Sequence, residues 1–143
     1  MTKAFIEIPA WSTHKYELDK DTGLLYLDRV LNQHVPANYG FIQDTLAEDG
    51  DPLDIFVVSG TPLLPGSVCK TRVHGVMLCD DNGVSDNKII ATLPDTRLDV
   101  DSMCGIIRYL ETYKSGFKYL RFSDTEAAEQ EIQKAKSKYV IKI

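Results

Sequence analysis

Three carboxylates fall within six residues at Asp49-Gly50-Asp51-Pro52-Leu53-Asp54. Like charges this close repel one another, so a fold can hold them only where cations neutralise them or water screens them. Gly50 lets the chain turn tightly, and Pro52 stiffens the approach to an apolar run over residues 53–58. That combination holds the carboxylates still. Hard oxygen ligands of this kind suit Mg²⁺, Mn²⁺ or Ca²⁺. The plain alternative is a solvated acidic turn, and the hexapeptide alone leaves both open. An EF-hand is excluded, because its loop needs an oxygen ligand at the fifth position and Gly at the sixth, where this chain has Leu53 and Asp54.

Most of the surrounding sequence reads as short strands. Residues 5–8, 14–18, 24–30, 38–42, 53–58, 68–78 and 88–93 are apolar or β-branched runs set off by Pro, Gly and Asp-rich turns. Such spacing points to a small barrel or sandwich. The last third changes period. Met103, Ile106, Ile107 and Leu110 recur at helical spacing, with Asp99 or Asp101 as the cap. Ser123-x-x-Glu126 fits a capping box for a second helix, with glutamates early and Lys134, Lys136 and Lys138 late. Residues 139–143 read as a closing strand. The expected architecture is α+β, mainly β: a β-barrel with two helices packed on it, as one domain over residues 1–143.

Charge narrows the function. The formal net charge is -5, whereas a chain that grips nucleic acid carries a basic groove interleaved with aromatics. No apolar stretch approaches the roughly 18 residues of a membrane span. The first ten residues lack the apolar run of a signal peptide. Cys69, Cys79 and Cys104 are widely spaced without a C-x-x-C, and read as buried free thiols in a reducing compartment. A cytoplasmic protein without nucleic-acid or membrane partners is expected. His14, His34 and His74 are not spaced as ligands, and Trp11 reads as a packing residue.

Other charged residues could join the acidic loop. Asp80, Asp81 and Asp86, followed by Lys88, read alone as a solvated hairpin turn. Glu7, Lys15, Glu17 and Arg29 lie on the early strands, and alternation puts Lys15 and Glu17 on one face. With Lys114 these would supply both halves of what phosphoryl transfer needs: carboxylates for metals and fixed cations for phosphate oxygens. Tyr39 and Tyr113 could add neutral donors.

The order of these segments resembles the soluble, magnesium-dependent inorganic pyrophosphatases. Residues 49–55 resemble that family's D-x-D-P-x-D signature. Ile6-Glu7-Ile8-Pro9-Ala10, Lys15-Tyr16-Glu17-Leu18-Asp19, Leu27-Asp28-Arg29, Asn38-Tyr39-Gly40, the Asp81, Asp86, Lys88 pattern and Tyr113-Lys114 supply six further landmarks in order. The resemblance implies a closed five-stranded OB-like barrel, and hydrolysis of pyrophosphate to two orthophosphates by direct attack of a metal-bridging water. It implies several Mg²⁺ ions, with Mn²⁺ as a substitute, and a homo-oligomer, a hexamer or smaller. Asp49, Asp54 and Asp86 would hold the metal pair that shares the water. Asp51 would take its proton, Asp81 would help bind a further metal, and Glu7 and Glu17 would hold metals on the substrate side. Lys15, Arg29, Lys88, Tyr39, Tyr113 and Lys114 would contact the phosphoryl groups, with Asp51, Asp54, Tyr39, Lys88 and Arg29 as the catalytic set. The chain departs from the family at Val35, where an aromatic residue that contacts phosphate is usual. The alternative function is a weak or inactive metal- or phosphate-binding module on the same fold.

Overall fold

The computed structural model describes residues 1–142. Its strands are β1 (Thr2–Ile8), β2 (His14–Leu18), β3 (Leu25–Val30), β4 (Asn38–Ile42), β5 (Asp54–Val58), β6 (Val68–Asp81), β7 (Val84–Ser85), β8 (Lys88–Thr92) and β9 (Phe117–Ser123). Two helices follow the barrel strands, α1 (Val100–Glu111) and α2 (Thr125–Lys142). Strands β1, β4, β5, β8 and β6 pair in that order, and β6 returns to β1, so five strands form a closed ring. Closure removes the free edges that an open sheet would expose. Every pairing in the ring is antiparallel except β5 with β8.

The apolar runs of β5 and β8 are buried on both faces, which explains why they lack a polar alternation. Ile55, Val57, Ile89 and Ala91 join one core with Ala128, Ile132 and Ala135 of α2. Phe56, Val58 and Ile90 join a second core with Ile106 and Leu110 of α1. The two faces of the same strands thus dock the two helices on different sides. Asp99 caps α1, its side chain accepting from the Ser102 backbone N–H at 2.6 Å.

Two local devices bring β1 and β4 together. A Cβ at Gly40 would lie 1.7 Å from the Phe5 carbonyl oxygen, so only glycine permits this approach. Buried Asn38 then ties the strand to its surroundings. Its amide oxygen accepts from Ala10 and Leu63 backbone N–H at 2.9 and 2.8 Å, and its amide nitrogen donates to the Val57 carbonyl and the Ser59 hydroxyl at 2.9 and 2.8 Å. Four satisfied bonds hold the residue that precedes Tyr39.

Several sequence expectations need correction. The second helix does not start from a Ser123 box: Ser123 pairs with Val76 in β9, and Asp124 caps α2 by accepting from the Ala127 backbone N–H at 3.0 Å. The closing strand does not form, because α2 continues through residues 139–142; Ile143 lies outside the described residues. Strands β7 and β9 were not expected at all. Trp11 is 53% exposed in a turn, at φ 66°, and so is not a packing residue. Of the three cysteines only Cys79 is buried; Cys69 is half-buried and Cys104 exposed.

Candidate active site

Strand direction decides where charge gathers. Because β5 and β8 run parallel and in register, Asp54 sits opposite Lys88 at the start of both strands. Antiparallel pairing brings the far end of β6, with Asp80 and Asp81, to the same end of the barrel. Tyr39 arrives on β4, and Asp86 lies two residues before Lys88.

Lys88 is the hub. Its side chain is 3% exposed, and its ammonium donates to Asp54 at 2.6 Å, to Asp86 at 3.1 Å and to the Tyr39 hydroxyl at 3.0 Å. Burial alone would pull the Lys88 pKa down, but Tyr39, Asp54 and Asp86 outweigh it and hold it well above its ordinary value. Burial and the Asp54 charge likewise hold the Tyr39 hydroxyl protonated, well above its ordinary value, against the pull of Lys88. The ammonium also lies 5.5 Å from the Tyr39 ring centre and 5.7 Å from that of Phe117.

The acidic loop is held by its own backbone and by α2. Gly50 takes φ +88°, the left-handed geometry that glycine allows. The Ala47 backbone N–H donates to the Asp51 carbonyl at 2.7 Å, and the Asp51 N–H to the Asp49 carboxylate at 3.0 Å. Just upstream, Glu48 accepts from Lys134 and Lys138 of α2, each at 2.9 Å, and the two hydrogen bonds draw its carboxyl down to about 2. Burial pushes the Asp49 carboxyl up; the Asp51 N–H opposes this, and Asp86, Asp54 and Asp51 reinforce it.

These elements enclose a cleft of about 310 Å³. Six carboxylates line it: Glu7, Asp49, Asp51, Asp54, Asp81 and Asp86. So do four cations: Lys15, Arg29, Lys88 and Lys114, with Lys114 held to Asp81 at 3.0 Å. Tyr39 and Tyr113 complete the polar wall, so twelve of the thirteen residues singled out in the sequence meet in one place. Glu17 is the exception. It lies outside the lining, on the ribbon of β2 and β3, and accepts from the Tyr26 hydroxyl at 3.1 Å. Val35 is fully buried in the core around Ile106 and adds nothing to the cleft.

Among the described residues, no three acidic side chains close on one point as a ready cage. The Lys88 ammonium stands between Asp54 and Asp86. The donors nevertheless fit a hard divalent cation: all are carboxylate oxygens, six of them against four cations in the lining. A model of the inorganic pyrophosphatase family matches residues 4–140.

The chain belongs to the inorganic pyrophosphatase family. It is 37% identical to the inorganic pyrophosphatase of Campylobacter jejuni, over 95% of this chain and 90% of that protein. Identity with the Thermus thermophilus inorganic pyrophosphatase is 41%, over 94% of this chain and 87% of that protein. The solved inorganic pyrophosphatase structure from Coxiella burnetii superposes with a TM-score of 0.86 at 31% identity, covering 96% of this chain and 94% of that one. The Helicobacter pylori structure gives 0.86 at 36% identity, covering 96% and 92%. The five-stranded ring with its two helices is the OB-like fold of these pyrophosphatases.

One polar residue of the pyrophosphatase cleft was missed in the sequence. Tyr109 lines it from α1, and its signal was present: it precedes Tyr113 by four residues, one helical turn. The apolar stripe of that helix, Met103, Ile106, Ile107 and Leu110, passes it by.

Glu7 gives this pyrophosphatase cleft a pH signature. Burial pushes its carboxyl from 4.5 up to about 7, with Lys15 opposing and Asp54, Glu17 and Asp28 reinforcing the shift. Between these values the folded chain binds more protons than the unfolded one, so stability falls as pH rises. In metal-free buffer, urea unfolding of the wild type should lose about 2 kcal/mol more than Glu7→Gln between pH 5 and pH 8. Equal pH slopes in the two proteins would contradict the assignment.

Proposed function

We propose that this chain hydrolyses inorganic pyrophosphate to two orthophosphates, with Mg²⁺ as its physiological metal and Mn²⁺ as a substitute. The observation that carries the reading is the meeting of six carboxylates and four cations in one cleft of a pyrophosphatase fold. In this reading Asp49, Asp54 and Asp86 would hold the principal metals, Asp81 a further one, and Glu7 those on the substrate side, with Glu17, outside the lining, reaching them through water. When bound, such ions neutralise phosphoryl charge and acidify the water they hold.

The chain's own residues do the rest. Lys15, Arg29 and Lys114 meet the phosphoryl oxygens, and Tyr39 and Tyr113 add neutral donors. Lys88 couples the carboxylates to the substrate side, since its three donors already span Asp54, Asp86 and Tyr39. Asp51 takes the proton of the attacking water. Water is the simplest nucleophile because, among the described residues, no Ser, Thr, Cys or His lines the cleft. The buried thiol of Cys79 is no rival, since burial pushes it up to about 12. A water attack also leaves no covalent intermediate to resolve.

Location and assembly belong to the same proposal. Among the described residues, no helix is long and apolar enough to cross a membrane. All three thiols are free, which supports a reducing, cytoplasmic setting. Exposed Leu25, Leu27 and Val30 on β3 offer an apolar surface to a second copy, consistent with a homo-oligomer of hexamer size or smaller. Sedimentation equilibrium checks this: a mass of 16.1 kDa at micromolar concentration would contradict assembly.

Phosphate release from pyrophosphate, with and without Mg²⁺, tests the activity in wild type and Asp51→Asn together. Wild-type turnover should need Mg²⁺, and the variant should lose about 10²–10⁴-fold in kcat, the usual cost of removing a positioned base. A folded wild type that releases no phosphate with either Mg²⁺ or Mn²⁺ would leave the binding-module alternative standing.

A further inference from the structure

Three tyrosines line the cleft, and their hydroxyls are not equally engaged. That of Tyr39 is taken by Lys88. Tyr109, on the last full turn of α1, has no hydrogen-bond partner for its hydroxyl among the described residues, although its ring is firmly packed. The ring meets Phe56 edge-on at 6.4 Å between centroids and lies 5.5 Å from Tyr113. Phe56 in turn meets Tyr39 at 4.8 Å, so the ring belongs to a continuous aromatic wall. It also packs against the core that contains Val35, Ile106 and Leu110.

A fixed ring with a free hydroxyl has a definite direction. Among the described residues no buried side-chain oxygen or nitrogen is left without a partner, so the unpartnered Tyr109 hydroxyl is not sealed in the core, and the residue lines the cleft. Burial pushes it up to about 12, Tyr113 adds to this, and Lys88 and Arg29 draw it back. Both cations line the same cleft as Tyr109. The group remains an O–H donor at any working pH, beside the cations that would meet an anion. A neutral donor there recognises a phosphoryl oxygen without adding charge.

We propose that the Tyr109 hydroxyl donates a hydrogen bond to a phosphoryl oxygen of the bound substrate, as a substrate contact additional to those of Tyr39 and Tyr113. The proposal rests on the pyrophosphatase reading of the cleft. It assigns the hydroxyl to binding; the packing of the ring is a separate role. Val35 carries no polar group and lies outside the lining, so among the described residues Tyr109 and Tyr113 are the lining tyrosines whose hydroxyls have no protein partner.

Tyr109→Phe removes the hydroxyl and keeps the ring. With Mg²⁺ saturating, KM for pyrophosphate should rise about tenfold, the scale of one hydrogen bond to a charged group, while kcat stays within about twofold. The dissociation constant of imidodiphosphate, measured by calorimetry with Mg²⁺, should rise by a similar factor. The thermal midpoint should not move. Unchanged KM and unchanged imidodiphosphate binding would overturn the proposal. So would a weakened affinity accompanied by a lowered thermal midpoint, which would assign Tyr109 to packing. If the folded wild type releases no phosphate, the functional reading fails, and the imidodiphosphate arm still decides whether the hydroxyl touches a diphosphate.

Discussion

A buried ammonium held between two carboxylates organises this molecule. Lys88 is almost fully enclosed, and an isolated charge in that position would cost several kcal/mol. It is tolerated because Asp54, Asp86 and Tyr39 satisfy all three of its protons. The reverse also holds. Asp54 and Asp86 can stand close together because a cation stands between them. This arrangement requires the parallel pairing of β5 with β8, which sets Asp54 opposite Lys88. The closed ring, the two cores and the docking of both helices hold that pairing in place.

The remaining charge is distributed around this hub. Lys15 and Arg29 come from the ribbon, paired across β2 and β3, while Lys114 is drawn in by Asp81. The acidic loop between β4 and β5 would spread under its own repulsion. It is restrained from behind, where α2 grips Glu48 with two lysines and accepts the Leu46 backbone N–H on the Ala135 carbonyl at 3.0 Å. A helix far from the cleft in sequence thus sets the position of the carboxylates that face it. The cleft still holds more negative than positive groups, which suits hard cations arriving with an anionic substrate.

Much of this was legible in the sequence because it is local. The barrel strands announce themselves through β-branched runs, and the acidic loop through its unusual charge density. Where expectation failed, a partner distant in sequence decided the outcome. β9 exists because the long β6 offers its far half for pairing; in isolation, residues 117–123 mix charged and aromatic side chains without a clean alternation. That pairing also claimed Ser123 and passed the cap to Asp124, one residue on. Tyr139, Val140 and Ile141 have strand propensity, but extending a helix costs less than starting a new element, and α2 runs through them with Val140 and Ile141 exposed. Tyr109 was hidden for another reason: the stripe of Met103, Ile106, Ile107 and Leu110 marks the core face of α1 and does not say which position beside it borders a cavity. Glu17 shares a strand face with Lys15 yet lies outside the lining and meets Tyr26 across the ribbon, and strand alternation does not say how far along a strand a cleft reaches.

Lys88 is the internal counter-ion of the carboxylate cluster. Equilibrium urea unfolding of Lys88→Met, with and without Mg²⁺, tests it most directly. The metal-free variant should be less stable than wild type by about 3–5 kcal/mol, since one partner of a buried charge group is gone. Mg²⁺ should then stabilise the variant more than it stabilises the wild type, because a divalent cation can replace the lost charge. A metal-free variant within about 0.5 kcal/mol of wild type, or no greater response to Mg²⁺, would contradict the account.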